Sequence, residues 1–340
     1  MIIKMSKAKF VISKSKVLEQ YGKIKEVCDI VSYSSKTNPL VSGILEENVN
    51  CMFSIHMVNE LKNVKDLSRI VFLVQGCNTK FIKNLVRKGI KWFVVDNEKD
   101  LNEFVKYNGE KINLLLRIKL KENTLKTERY FVFGMNSDFV NNKLKELKNK
   151  FSFLGIHFHR KTQNLSEWNL KRDFEEMIKE ENLKYISYVN IGGGLPSEYA
   201  NTNVNVINNV LIKIKEFREY LNDKNIKMIV EPGRFIAAPA GKLITQVIRI
   251  YDNNIIVNAS VYNSDTDALT VPVKLLIEGE GEGNPYVIKG ITPCSMDLFR
   301  YKVYLKNIKE GDEIVFLNAG AYGFSSDFCD LDKLETEIID

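Results

Sequence analysis

Eight short runs rich in β-branched and aromatic residues constrain this chain more than any other feature: VCDIVSY (27–33), NCMFSI (50–55), IVFLVQ (70–75), IKWFVVD (90–96), INLLLRI (112–118), FLGIHFH (153–159), ISYVNI (186–191) and IKMIVE (226–231). Between them lie helical patterns such as NPLVSGILEEN, TKFIKNLVRKG, SDFVNNKLKELKNK, LSEWNLKRDFEEMIKEEN and NVINNVLIKIKEFREYLND. The runs are apolar throughout, so each strand needs cover on both faces. Eight such strands separated by helices are what a closed parallel barrel requires, and residues 16–235 are expected to form a TIM-type (β/α)8 barrel.

After Arg234 the texture changes to GKLITQVIRIYDN, IIVNASVYN, LTVPVKLLIEGE, PYVIKGITP, YKVYLKNI and DEIVFLNAGAY, with turn residues between. No helix-length pattern interrupts these, so residues 236–340 are expected to be an all-β domain. The N-terminal segment, about residues 1–15, adds a strand through AKFVIS. The fold class is α/β, a barrel followed by a C-terminal β-domain. A chain of 340 residues is long enough for both cores.

The formal charge of +6 comes from lysines scattered among acids on helical patterns, with no basic tract interleaved with aromatics. A nucleic-acid partner is therefore not expected. The five cysteines are an odd number without a CxxC pair, which argues against a disulfide framework or a zinc ribbon and for a reducing cytoplasm. No apolar run is long enough for a signal peptide or a membrane span, so no membrane association is expected.

Barrel active sites gather at the C-terminal ends of the strands. Lys36 follows the first run, His159 ends the sixth, Gly192, Gly193 and Gly194 follow the seventh, and Glu231-Pro232-Gly233-Arg234 follows the eighth. Taken singly, these are a solvated lysine, a turn and a strand-ending ion pair. Taken together they are an amine, a flat stacking surface, a backbone cradle for an anion and a carboxylate with an arginine beside it. Pyridoxal 5′-phosphate (PLP) presents an aldehyde, a flat ring, a phosphate and a basic ring nitrogen, and the match is one to one. His157 and His159 also form an HxH pair at a spacing suited to zinc, which opens a second reading as a metal-dependent barrel hydrolase. His56 is the only other histidine and no cysteine or acid cluster completes a ligand set nearby, so that reading ranks lower and no metal is expected.

The order of these motifs resembles the fold-type III PLP enzymes, the alanine-racemase-like barrels, and within them the ornithine, lysine, arginine and diaminopimelate decarboxylases. YSSKTN resembles that group's Y-A-x-K-A-N around its Schiff-base lysine, and GIHFHRKTQ resembles G-I-x-F-H-V-G-S, with His159 at the ring-stacking position. GGG and EPGR match as they stand, PCSMD resembles C-D/E-x-x-D, and GAYGFSSDF resembles the terminal G-A-Y segment. The resemblance implies Lys36 as cofactor anchor, Glu231 on the ring nitrogen, and Thr162, Gly233, Arg234 and Tyr322 as further cofactor contacts. It implies Cys294 as the acid that reprotonates the α-carbon, offered by the neighbouring subunit of a homodimer with shared sites. Alanine racemases of this fold set an arginine against the ring nitrogen, so a carboxylate there favours decarboxylation over racemisation.

The chain departs from the pattern in places. Arg160-Lys161-Thr162 stands where the family has V-G-S, NCMFS replaces F-D-C-A-S without the acid, and the Cys294-to-Asp297 spacing is one residue short. For the substrate's far end two readings stay open. Asp265, Asp267, Asp297 and Asp327 would meet a distal ammonium or guanidinium, as on ornithine, lysine or arginine; Arg160, Lys161 and Arg300 would meet a distal carboxylate, as on diaminopimelate, carboxynorspermidine or a siderophore precursor. The reading leans to a basic amino acid.

Overall fold

A computed structural model describes residues 7–120 and 132–340. Residues 1–6 of the expected N-terminal segment lie outside the described residues. The chain divides into two compact units, one made of Tyr21–Pro196 and Asn205–Gly233, the other of Met1–Gln20, Ser197–Val204 and Arg234–Asp340.

Strand β1 (Lys9–Ser13) runs into helix α1 (Lys14–Lys25), and the barrel strands follow. They are β2 (Ile30–Ser34), β3 (Met52–Ile55), β4 (Ile70–Val74), β5 (Trp92–Val95), β6 (Asn113–Arg117), β7 (Phe153–His157), β8 (Tyr188–Asn190) and β9 (Lys227–Val230). Neighbours pair in parallel and in order, and β2 meets β9 through Ile30↔Ile229 and Val31↔Val230 to close the barrel. Each of the eight runs in the sequence holds one of these strands. Helices α2 (Pro39–Asn48), α3 (Thr79–Arg87), α4 (Glu98–Lys106), α5 (Ser137–Leu147), α6 (Leu170–Met177) and α7 (Ile207–Asn222) alternate with them. Helix α4 goes beyond the patterns singled out above because only Leu101 and Phe104 anchor its apolar side.

Local sequence explains these elements. In α3 the side chain of Asn78 accepts from Phe81 N at 2.9 Å, satisfying an orphan donor of the first turn. Ile82, Leu85 and Val86 recur at i, i+3 and i+4 and are buried. Gly89, at φ 100°, turns the chain out past the end. Losing the Asn78 cap would cost about 1 kcal/mol; burying each large apolar side chain contributes about 1.5–3 kcal/mol, so packing decides this helix.

Inside the barrel the period-2 alternation of strands sets up layers. Val71, Val94 and Leu115 form a buried cluster against which Met52, Leu73, Trp92 and Tyr188 pack. Two residues further along the same strands, on the same inward face, stand Ser54, Asp96, Arg117 and Asn190. His157 at the end of β7 and Glu231 just past the end of β9 join that level. The lining therefore turns from apolar to polar within one strand repeat as it reaches the C-terminal mouth.

The second unit is mostly β. Strands β10 (Gly241–Tyr251), β11 (Asn254–Val257), β12 (Leu276–Ile277), β13 (Asn284–Lys289), β14 (Leu298–Leu305), β15 (Glu313–Leu317) and β16 (Glu335–Ile339) form, with β1, an eight-stranded sheet curved as a half-barrel. Its order is β12-β15-β10-β11-β13-β14, and β1 lies antiparallel to β10 and parallel to β16. AKFVIS thus joins this sheet, as its composition suggests. The short excursion Ser197–Val204 belongs to this unit too: Ala200 N donates to Lys274 O at 2.8 Å and Asn201 Nδ2 to Pro272 O at 2.7 Å. No helix among the described residues is long and apolar enough to cross a membrane.

Candidate active site

Lys36 owes its place to the residues around it. Strand β2 ends at Ser34, a single 3-10 turn spans Ser35–Thr37, and Pro39 forces Asn38 into an extended conformation, φ −158° and ψ 111°. From there the Asn38 side chain accepts from Leu40 N at 3.0 Å and starts α2. Ser34 N donates to Pro232 O at 3.0 Å, tying this turn to the segment after β9. The Lys36 amine makes no hydrogen bond or ion pair among the described residues, and although solvent reaches it, the surrounding protein removes enough hydration to lower its pKa despite the charges of Glu231 and Glu60. A lysine held this way spends part of its time as a neutral nucleophile.

Glu231 is 6% exposed, directly beyond β9. Its Oε1 accepts from Ser54 Oγ at 2.7 Å and from Asn190 Nδ2 at 3.0 Å, and its Oε2 lies 3.1 Å from His157 Nε2. Burial opposes ionisation, yet His157 and the Ser54 and Asn190 donors outweigh it and hold the carboxyl well below the ordinary 4.5. Ser32 and Ser54 hydroxyls meet at 2.8 Å, and Arg117 pairs with Asp96 at 3.3 Å on the other side of the mouth. Burial also lowers the pKa of His157, so its ring is neutral.

His159 stands two residues past His157, beyond the end of β7. Its Nδ1 accepts from Gly193 N at 3.1 Å, which fixes the tautomer with hydrogen on Nε2, and burial lowers its pKa to about 3. The ring is a neutral plate held by one edge. Gly192 makes this possible: at φ 67°, a Cβ there would lie 2.6 Å from His159 Nδ1. Gly193 likewise passes so close to Glu231 that a Cβ would lie 2.6 Å from its carbonyl oxygen. Gly192 N donates to Asn190 Oδ1 at 2.9 Å, while Gly194 N carries no hydrogen bond among the described residues. The turn keeps one backbone donor for an anion, and Thr162 is half-buried on the nearby loop.

Arg160 is turned inward. It is 2% exposed, donates from Nε to Glu167 O and from Nη2 to Asp173, both at 2.8 Å, and lies over the rings of Phe158 and Trp168.

In the β unit, Arg234 is 5% exposed and donates from Nη1 to Tyr199 OH at 2.9 Å and to the Asp267 carboxylate. Its guanidinium lies 4.9 Å from the centre of the Tyr322 ring. Tyr322 holds φ 56°, a region that bulky residues occupy at a cost of about 1–3 kcal/mol. Burial, together with the Asp267 charge, pushes the Asp265 carboxyl well above the ordinary 3.8. Gly233 precedes this cluster in the barrel unit, against the side chains of Thr37 and Ser34.

Cys294 sits on the loop before β14 with its Sγ 3.1 Å from Tyr262 OH. That hydrogen bond and the Met296 N–H lower its pKa. Tyr262 is stacked on Phe328 at 3.9 Å. Asp297 and Arg300 are occupied: Asp297 accepts from Val261 N, Thr292 N and Thr292 Oγ1 at 2.9, 3.0 and 2.7 Å, and Arg300 pairs with Glu280 at 2.7 Å and donates to Leu275 O at 2.6 Å.

The structure therefore brings Lys36, His159, the glycine turn and Glu231 together in the barrel unit, and Arg234, Tyr322, Asp265 and Asp267 together in the β unit. Sequence reasoning missed Ser54, Asn190, Arg117 and Asp96, and gave His157 no role on Glu231. The available signal was a polar residue near the C-terminal end of an otherwise apolar run, as in NCMFSI, INLLLRI, IKWFVVD and ISYVNI. Among the described residues no three His, Cys, Asp or Glu side chains gather to hold a metal ion.

A solvent-reachable amine without a partner, a fixed aromatic plate, a glycine turn with a vacant N–H and an ionised carboxylate suit the groups of PLP one by one. The site and fold define a PLP-dependent amino-acid decarboxylase class. Residues 15–238 match the family model described as pyridoxal-dependent decarboxylase, pyridoxal binding domain, and the chain belongs to that family. It is 26% identical to a diaminopimelate decarboxylase of Aquifex aeolicus over 76% of this chain and 66% of that one. It is 24% identical to a probable ornithine decarboxylase of Dictyostelium discoideum over 93% and 76%. Among solved structures, lysine/ornithine decarboxylase from Vibrio vulnificus complexed with cadaverine shares the fold, with a TM-score of 0.82 at 19% identity over 98% of this chain and 94% of that one.

Proposed function

We propose that the protein decarboxylates a basic amino acid of the ornithine, lysine or arginine type, releasing a diamine or agmatine-like product of the kind used in polyamine formation. The observation that carries this is the state of the cations offered to a second carboxylate. Arg160 is buried against Asp173 and Glu167, and Arg300 against Glu280, so two of the three candidate cations are already engaged, and half-buried Lys161 is the one left for a second carboxylate. Asp327 is exposed and remains for a distal cation.

Bound PLP supplies an aldehyde for the substrate amine and a ring that withdraws electrons from Cα as CO₂ leaves. Lys36 presents its neutral amine to that aldehyde. His159 offers a ring face and keeps its own hydrogen on Nε2. Glu231 accepts from the ring nitrogen and keeps the proton there, the role that favours loss of CO₂ over racemisation. The Gly194 N–H and Thr162 hydroxyl serve the phosphate, with Gly233, Arg234 and Tyr322 as further contacts implied by the family. Cys294, its thiol held by Tyr262, returns the proton to Cα. The family resemblance supports a homodimer in which Cys294 of one copy serves the site of the other.

A second reading takes diaminopimelate as the substrate. It is favoured by the relatives: the Aquifex protein and one from Vibrio cholerae, 27% identical, are both diaminopimelate decarboxylases. One experiment separates them. PLP-loaded protein is offered ornithine, lysine, arginine, meso-diaminopimelate and carboxylated polyamines, and CO₂ and amine are measured. Turnover confined to diaminopimelate or to a carboxylated polyamine rejects the basic-substrate reading, and racemisation without CO₂ rejects decarboxylation.

A further inference from the structure

His157 is a buried titratable group that the steps above leave without a task. It is the last residue of β7, and its two ring nitrogens have unlike surroundings. Nε2 lies 3.1 Å from Glu231 Oε2, whereas Nδ1 is buried with no hydrogen-bond partner among the described residues. An imidazolium would leave an unsatisfied N–H at Nδ1, so burial selects the neutral ring. The ionised carboxylate then selects the tautomer with hydrogen on Nε2. The other charged or titratable groups facing this pair are Arg117 of β6, Asp96 after β5, Lys36 after β2 and His159 after β7. Arg117 and Asp96 largely cancel each other through their own ion pair.

A carboxylate has about four lone-pair positions. Ser54 and Asn190 fill those of Oε1, and His157 takes one on Oε2. The position that remains is also on Oε2. Any further donor reaching Glu231 lands on the oxygen that His157 already holds.

We propose that His157 is a positioning residue: by donating its Nε2–H to Oε2 it keeps the negative charge on Glu231 and thereby keeps a shared proton on the ring nitrogen of the bound cofactor. The inference rests on the PLP reading and takes it one residue further. Between a buried carboxylate and a pyridine nitrogen, the proton has two arrangements, an ion pair or two neutral groups. Each donor to the carboxylate stabilises the ion pair relative to the neutral one. Removing the His157 donor moves the proton from the ring toward Glu231 and weakens the electron sink without altering the substrate's own contacts.

The test uses the full chain loaded with PLP carrying ¹⁵N at the ring nitrogen. Wild type, His157→Leu, His157→Asn and His157→Gln are compared by the ¹⁵N chemical shift across pH, and by kcat and KM on the amino acid the wild type decarboxylates. In the wild type the nitrogen is protonated at neutral pH. In His157→Leu the shift moves toward the unprotonated value and kcat falls about tenfold or more, with KM within about twofold. Asparagine places its amide where Nδ1 was, so His157→Asn behaves like the leucine variant and stands in for it should leucine prevent folding. Glutamine reaches the place of Nε2, and His157→Gln restores both the shift and kcat. An unchanged ¹⁵N titration in His157→Leu or His157→Asn overturns the proposal, as does His157→Gln behaving like His157→Asn. A wild type that binds no labelled cofactor shows a different failure, before any substitution is made, and overturns the PLP reading and this proposal with it.

Discussion

The barrel mouth and the β unit each bury one strong charge, and they satisfy it in opposite ways. Glu231 is held by a hydroxyl, an amide and a neutral imidazole, so its donors are all uncharged and its negative charge remains unmatched. Arg234 is met directly by the Asp267 carboxylate, with Tyr199 beside it, and burial pushes the pKa of a second carboxyl, Asp265, well above the ordinary 3.8. A buried charge is costly unless something compensates it. In the β unit the compensation is built in, while in the barrel it is left for a cation to complete. The same comparison distinguishes a strut from a receptor.

The contrast is broken most severely at Lys36. Lys36→Ala is expected to lose about 10³-fold or more of CO₂ release and the visible absorption of the cofactor-loaded protein; retention of either would remove the amine from the mechanism. Next comes the strut. Asp267→Asn leaves Arg234 without its counter-charge, and removing one partner of such a pair costs about 3–5 kcal/mol, read as a lower urea midpoint. A change under about 1 kcal/mol would show that Arg234 does not depend on Asp267.

The two regions should also respond to pH with opposite sign. Asp265 has a folded-state pKa raised above the ordinary 3.8, so its stabilising effect is complete below that value and is lost as pH rises through the raised one. Asp265→Asn should flatten that decline by up to about 1.4 kcal/mol per pH unit and be the more stable protein at neutral pH. Glu231 has a folded-state pKa depressed below 4.5, so its contribution is present above that value and is lost as pH falls toward the depressed one. Urea titrations of both proteins at several pH values check the two slopes, and an Asp265→Asn profile that parallels the wild type would refute the first. The smallest effect is expected at Cys294. Tyr262→Phe removes the hydroxyl beside its thiol, and the rate of iodoacetamide modification at neutral pH should fall several-fold; an unchanged rate would separate the tyrosine from the thiol.

The barrel was legible because its strands are short, apolar and bounded, and because a closed parallel sheet leaves no solvent face to blur the pattern. Lys36, His159 and Glu231 were legible as polar residues where those runs end. Ser54, Asn190 and His157 were harder because their role is to hold Glu231, and a serine, an asparagine or a histidine inside a run does not say which partner it turns to. The β unit gave still less, since Tyr199 reaches Arg234 from a segment that the sequence places among the barrel helices, and Tyr262 and Cys294 meet from positions 32 residues apart. Arg160 carried a charge whose protein partner the sequence did not reveal. Its sequence position suggests a ligand contact, but its carboxylate partner lies on the next helix, α6.

Strand β1 has a consequence for how the molecule comes to be assembled. Lys9 pairs with Ile244 on one side and Glu335 on the other, so one of the earliest strands of the chain finds both neighbours only in its last third. During synthesis this strand emerges long before either edge exists to receive it, and bringing them together means closing a very large loop. The barrel strands, each beside the next in sequence, face no comparable wait. Completion of the curved sheet is therefore expected to be the slow event in refolding, and a probe on β1 should report it last.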